Sequence, residues 1–193
     1  MRAYRTAEVR WFMPGAIPPA VRDWFDALGP GSSPGQAPEA ETRTDLYLAP
    51  TSDALGVKLR DGRVEAKRRT GTLGLLDLEG GPVEVEAWAK WSFETPTALE
   101  SRQASEANEA GWIPVEKTRR QRHADGCALE LSRIVLEGED WWSVCLEATG
   151  ADDAERRSAL EAGARRWLAI EDAPSLASSD AAGYPAWLRA RRP

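Results

Sequence analysis

Ala54-Leu55-Gly56-Val57-Lys58-Leu59-Arg60-Asp61-Gly62-Arg63-Val64-Glu65-Ala66-Lys67 places two alternating runs on either side of an Asp-Gly pair. A two-residue Asp-Gly connection is the strongest short-range hairpin signal, because its turn needs positive φ at both central positions. The stretch therefore predicts strands over Leu55–Arg60 and Arg63–Arg69. Successive side chains on a strand point to opposite faces. Lys58 and Arg60 thus share one face and Val57 and Leu59 the other, while Arg63, Glu65 and Lys67 share a face of the next strand.

Working outward, the same period of two recurs. Toward the N-terminus it marks strands at Glu41–Leu48 and Thr6–Met13. Between these two, Pro14, Gly15, Pro18 and Pro19 punctuate the chain. A helix follows from about Pro19, with Val21, Trp24, Phe25 and Leu28 on one face, and ends at Gly29-Pro30. Gly29 to Ala40, rich in Gly, Pro and Ser, reads as a mobile loop. Toward the C-terminus lie a strand at Pro82–Phe93, a polar surface helix over 96–111, and strands at Trp112–Arg122, Cys127–Leu136 and Trp141–Thr149. The last three are joined around His123-Ala124-Asp125-Gly126 and through Glu137-Gly138-Glu139-Asp140. Asp152 and Glu155 form an Asp-x-x-Glu capping pattern for a final helix with an apolar stripe of Leu160, Ala164, Trp167 and Leu168. The tail, from about residue 172, carries Gly183-Tyr184-Pro185-Ala186-Trp187-Leu188, too aromatic to be left in water, and is expected to dock on the body. The order predicts a single α+β domain over 1–193, built on one large antiparallel sheet.

Composition bounds the rest. The chain has 193 residues, with 25 Lys plus Arg against 31 Asp plus Glu, a net charge of −6. Its 42% hydrophobic and 29% charged residues are ordinary for a soluble globular protein. No apolar run approaches the roughly 20 residues of a bilayer span, so no membrane partner is expected. Two cysteines, Cys127 and Cys145, make no disulfide framework and fit a cytoplasmic setting. A single histidine, His123, excludes a multi-histidine metal site within one chain. The negative total argues against non-specific nucleic-acid binding. The nine tryptophans read first as core fillers. No G-x-x-x-x-G-K-[ST] or G-x-G-x-x-G is present, which removes P-loop and Rossmann chemistry.

The informative pattern is what shares each polar face: Thr6, Glu8 and Arg10; Lys58 and Arg60; Arg63, Glu65 and Lys67; Glu84 and Glu86; Lys117, Arg119 and Gln121; Glu130 and Ser132; Ser143, Cys145 and Glu147. An antiparallel sheet wetted on one side would also alternate in this way. Seven or eight strands, however, leave two open edges unless the sheet closes. Closure would make a water-filled tunnel of cations and carboxylates. Clustered buried cations are costly without counter-charge, which implies an anionic ligand.

In this order the chain resembles the CYTH domain, the triphosphate tunnel metalloenzymes. The similarity rests on Ala54 to Lys67, on Val83-Glu84-Val85-Glu86, on Cys145-Leu146-Glu147 before the last helix, on Thr44-Asp45-Leu46-Tyr47, and on the tail Tyr184-Pro185-Ala186-Trp187-Leu188. It implies an antiparallel eight-stranded β-tunnel binding a small anionic triphosphate-type ligand (inorganic, nucleoside or thiamine triphosphate, or polyphosphate) with Mg or Mn, as a monomer or homodimer. Arg10, Lys58, Arg60, Lys67, Lys117 and Arg119 would then bind phosphate, Glu8 and Glu147 would hold the metal, and Glu130 or Glu84 would orient the attacking water. The family's opening Glu-x-Glu-x-Lys corresponds here to Thr6-Ala7-Glu8-Val9-Arg10, and Cys145 replaces the first acid of the late pair. Loss of those acids favours binding over hydrolysis and leaves a non-catalytic phosphate- or nucleotide-binding module as the alternative. A third reading, single-stranded RNA along the basic strands, would use Trp88, Trp91 or Trp112 as stacking platforms. Cys145 is read as a small buried residue and His123 as a loop residue. Arg68, Arg69, Arg120 and Arg122 are read as solvated strand ends.

Overall fold

Asp61 and Gly62 adopt φ of 47° and 68°, the paired left-handed conformations that a tight hairpin requires. Two further hairpins use the same device, at Asp125-Gly126 (48° and 79°) and Glu137-Gly138 (53° and 82°). The computed structural model describes residues 3–28, 39–94 and 111–191. The expected loop over 29–40 and helix over 96–111 fall largely outside them.

Eight strands form: β1 (Tyr4–Pro14), β2 (Glu41–Leu48), β3 (Leu55–Arg60), β4 (Arg63–Leu76), β5 (Val83–Glu94), β6 (Trp112–Ala124), β7 (Cys127–Leu136) and β8 (Glu139–Ala148). Among the described residues three α-helices accompany them: α1 (Pro19–Ala27), α2 (Asp153–Trp167) and the short α3 (Tyr184–Arg189). All pairings are antiparallel, and the strands close in the order β1-β5-β4-β3-β2-β6-β7-β8. The expected α+β tunnel is therefore present, and closure removes both sheet edges. β4 runs to Leu76, past the expected end at Arg69. Its register shifts between Arg69 and Gly71 and between Thr72 and Leu75, so the strand continues through bulges at these positions.

β1 closes the barrel. Tyr4–Glu8 pair with β5 and Ala7–Pro14 with β8. Beyond Glu8 the tail takes the place of β5: Trp11 bridges Ala181, and the Ala182 N–H donates to the Arg10 carbonyl at 2.9 Å.

The outer faces of β1, β7 and β8 carry Val9, Trp11, Leu129, Leu131, Val144 and Leu146. These pack with Trp24 and Phe25 of α1 and Leu160, Ala164 and Trp167 of α2 in one apolar cluster. Gly163 allows the close approach of α2, since a Cβ there would stand 2.6 Å from the Cys127 sulfur. The N-terminus of α2 is capped as the sequence predicts: Asp152 accepts from the Glu155 N–H at 2.9 Å, and Glu155 reaches back to the Ala151 N–H at 2.9 Å.

Arg120 and Arg122 are not solvated strand ends. Arg122 is buried and donates to the carbonyls of Phe25 and Asp26 at 2.9 and 3.2 Å, supplying the unpaired carbonyls at the end of α1 with a cation. Arg120 pairs with Asp26. Arg69 pairs with Glu86 at 2.7 Å, and Arg68 is exposed as expected.

A second apolar cluster fills one end of the barrel interior: Phe12, Tyr47, Ile113, Val115, Ile134 and Leu136, closed by Trp187 and Leu188 of α3. Trp187 stacks on Phe12 with ring centroids 4.4 Å apart, and Tyr184 stacks on Tyr47 at 5.1 Å. The tail docks, as its composition predicts, and it stoppers the tunnel.

Candidate functional site: a cationic pocket inside the barrel

The inward faces of the strands enclose a cavity of about 140 Å³. Its basic walls are Arg10, Arg43, Lys58, Arg60, Lys67, Lys90, Lys117 and Arg119, and its acidic walls are Glu8, Glu65, Glu130 and Glu147. Trp88, Tyr47, Tyr184, Gly56 and Pro185 complete the lining. Asp45 and Glu41, not themselves in the lining, also pair with Lys58, Arg43 and Arg119, so eight cations meet six carboxylates. This still leaves an excess of positive charge in a confined space, the electrostatic setting that concentrates anions. Away from the stopper the cavity meets a wider recess of about 970 Å³, which shares Arg60, Glu65, Lys90, Arg119 and Glu147 with it and adds Tyr4, Gln121 and His123.

Glu130 organises the deep end. Its Oε1 accepts from Arg10 at 2.8 Å, Lys117 at 2.7 Å and Ser132 at 3.1 Å. Its Oε2 accepts from Gln121 at 3.3 Å and lies 3.5 Å from Arg119. Burial alone would raise its pKa, but Lys117 and Arg10 hold it well below the usual carboxylate range. Both oxygens are engaged, and so weak a base is poorly suited to orient water. Burial lowers Lys117 to about 8, against the pull of Glu130, with Arg10 adding to the lowering.

A second group lies toward β3 and β4. Lys58 donates to Asp45 at 2.8 Å and lies 3.4 Å from Glu65, and Glu65 also meets Lys90 at 2.9 Å and Arg60 at 3.2 Å. Burial opposes ionisation of Glu65, yet Lys90, Lys58 and Arg60 bring it down to about 2.

The third group is Glu8, Lys67 and Glu147. Glu8 is in register with Glu147 on β8 and with Glu86 on β5. Lys67 bonds Glu8, and Thr6 donates to the same carboxylate at 3.2 Å. Glu147 enters no ion pair among the described residues. Burial and the neighbouring Glu8 raise its pKa, while Glu8 itself, opposed by burial, is lowered by Lys67 and Arg10. Two adjacent carboxylates, Glu8 buried and held by one ammonium and Glu147 half-buried without an ion pair, fit a hard divalent cation as two oxygen ligands, with water and phosphate completing its shell. No group of three or more His, Cys, Asp or Glu residues able to hold a metal occurs among the described residues.

Nine of the ten residues singled out from the sequence thus line one cavity: Glu8, Arg10, Lys58, Arg60, Lys67, Lys117, Arg119, Glu130 and Glu147. Glu84 does not. It is exposed and borders a different recess with Asp53, Arg69 and Glu86, because β4 bulges opposite this part of β5 and β1 no longer pairs there. Arg43, Lys90, Tyr47 and Tyr184 also line the pocket. Alternation along β2 and β5 was signal enough for Arg43 and Lys90, whereas the arrival of Tyr184 depends on docking of the tail. Cys145 is buried in register with Arg10 and Glu130, and burial holds its thiol protonated. Trp88 is 2% exposed and donates to Glu86 at 3.0 Å, so it offers no open platform for a base. No helix among the described residues is long and apolar enough to cross a membrane.

No protein-family model matches the chain, and no curated protein matches it. Among solved structures it is similar to the PH1819 protein of Pyrococcus horikoshii OT3, at 14% identity over 90% of this chain and 96% of that one, with a TM-score of 0.45. It is also similar to an adenylate cyclase candidate of Bacillus halodurans (8% identity, 88% and 94% coverage, TM-score 0.43). A third is the RNA triphosphatase Pct1 of S. pombe (12% identity, 98% and 80% coverage, TM-score 0.45).

Proposed function

We propose that the chain is a divergent CYTH-type tunnel that binds triphosphate-type anions. The observation that carries this reading is the convergence of Arg10, Lys58, Arg60, Lys67, Lys117 and Arg119 from four strands on one cavity with excess positive charge. A terminal phosphoryl group alone carries about −1.5 to −2, enough to replace carboxylates as the counter-charge. Arg60 and Arg119, at the junction with the outer recess, offer planar donor pairs, and Lys58 and Lys67 offer point charges. Each is half-buried beside a carboxylate. Binding would exchange that carboxylate for phosphate oxygen at small desolvation cost.

Hydrolysis would be attack of water on the terminal phosphoryl group, a reaction that depends on positioning and charge neutralisation more than on covalent chemistry. The basic side chains hold the phosphate oxygens, and the enclosing barrel limits water. Glu8 and Glu147 would hold Mg or Mn, which supplies neutralisation of charge on the phosphate oxygens. Glu130 serves to fix Arg10 and Lys117. Because it lacks a free oxygen, and Thr6 and Cys145 stand where acids are expected, a binding module without turnover is the second reading.

Saturating tripolyphosphate should stabilise the protein by about 2.7 kcal/mol at a hundred times Kd, raising the thermal midpoint by about 5–10 °C for a chain of this size. Arg60→Ala should weaken tripolyphosphate binding about tenfold or more, with the midpoint of the free protein little changed. No shift with tripolyphosphate, ATP or thiamine triphosphate would end the proposal. A shift without phosphate release in Mg²⁺ or Mn²⁺ would select the binding module.

Lys117 adds a pH dependence. Its folded pKa of about 8 lies below the ordinary lysine value of about 10.4, so the ammonium form that attracts phosphate is lost in the free protein as pH rises through 8. Affinity for tripolyphosphate, followed by calorimetry, should fall above that pH by up to about tenfold per unit. Lys117→Arg should flatten the profile, and a flat profile in the unmodified protein would contradict the assignment.

A further inference from the structure

Glu41 opens β2 in register with Arg119 of β6, and alternation puts it on the same inward face as Arg43 and Asp45. It stands at the open end of the barrel, where Arg119 lines both the pocket and the wider recess. Its two oxygens divide between two arginines of the pocket wall. Oε1 accepts from Arg43 Nη1 at 2.6 Å, and Oε2 accepts from Arg119 Nε at 2.6 Å. Slight burial raises its pKa, but the hydrogen bonds from Arg119 and Arg43 lower it overall, so the group is ionised. Each arginine also has a second acid deeper in the barrel, Arg43 at 3.1 Å from Asp45 and Arg119 at 3.5 Å from Glu130. Neither is stranded if Glu41 leaves. The acids differ in what holds them. Asp45, Glu65 and Glu130 are buried and each meets two or more cations, so withdrawing one would leave unpaired charge inside the barrel. The Glu41 side chain is 49% exposed and can turn into water, because solvent-exposed ion pairs hold only weakly.

We propose that Glu41 is a built-in placeholder for phosphate: it occupies a seat formed by Arg43 and Arg119 at the mouth of the pocket, and a phosphate chain enters by displacing it. The inference rests on the triphosphate reading above and adds to it a subsite and a resident competitor. A carboxylate forked between two guanidinium groups presents two oxygens and one negative charge. A phosphate chain offers the same paired oxygens with further oxygens and further charge beside them, so it wins the exchange. An anion no stronger than a carboxylate does not. The free protein thus carries its own counter-ion at the entrance, and simple carboxylates are held off by an acid already in place.

The test is calorimetric binding of tripolyphosphate to the unmodified protein, to Glu41→Gln, to Arg119→Ala and to the double variant. Glutamine keeps the length of the side chain and removes the charge, and a thermal midpoint close to the parent's reports an intact barrel. Glu41→Gln should bind tripolyphosphate about threefold to tenfold more tightly than the unmodified protein. Once Arg119 is alanine the same change should gain about twofold or less, since half of the seat is missing. Unchanged or weaker binding by Glu41→Gln would show that the acid positions the arginines rather than standing in for the ligand, and would overturn the proposal with triphosphate binding intact. An equal gain in both backgrounds would overturn it too, because it would mark a general loss of negative charge from the barrel. If neither the unmodified protein nor Glu41→Gln binds tripolyphosphate, the functional reading falls and this inference with it.

Discussion

Glu130→Gln is expected to lower folding stability by about 3–5 kcal/mol, because removing one partner of a buried ion pair strands the others. Here two cations are stranded. Arg10 and Lys117 reach the same oxygen at 2.8 and 2.7 Å, and Glu130 is 4% exposed. The amide of glutamine would offer hydrogens to side chains that are themselves donors. For a chain of this size the midpoint should drop by about 10 °C or more. The same variant should gain more from tripolyphosphate than the unmodified protein does, since phosphate then supplies the missing negative charge. Thermal melts with and without ligand measure both effects. A midpoint within a degree or two of the unmodified protein would show that the triad carries little energy, and a smaller ligand shift would place the anion away from Arg10 and Lys117.

Trp187→Ala should cost about 3–5 kcal/mol, the usual range for deleting a buried tryptophan side chain. Trp187 is 2% exposed, stacked on Phe12, edge-on to Trp141 at 5.6 Å and covered by Arg191 at 5.1 Å. Trp187→Phe should recover much of the loss by restoring a ring on Phe12. If chemical denaturation finds Trp187→Ala as stable as the parent, the tail is not docked in solution.

The barrel was legible because its signals are local. Asp61-Gly62 and Asp125-Gly126 announce their own turns, and period-two alternation puts Lys58, Arg60, Lys117 and Arg119 on inward faces without knowledge of the partner strands. Glu137-Gly138 was harder, since glutamate rarely takes φ of 53°, and the turn is two residues rather than four. What resisted reading was non-local. Glu84 shares a strand face with Glu86, but the bulges of β4 and the departure of β1 carry it out of the pocket. Arg122 sits in a basic run that looks solvated, and its burial depends on where α1 ends. Tyr184 is separated from the barrel strands by a whole helix, so its place on the pocket floor follows from the docked tail alone.

The position of β1 has a consequence for how the chain reaches this state. Tyr4–Pro14 is made before the other barrel strands, yet its neighbours are Val83–Glu94 and Glu139–Ala148. Until synthesis has passed both, Val9, Trp11 and Phe12 have no lasting place to go. Such long-range pairing pays its loop-closure entropy before any contact rewards it, and it slows folding. The β6–β7–β8 meander, joined by two-residue turns, can assemble and wait, and the strand made before all the others becomes the last stave set into the cask.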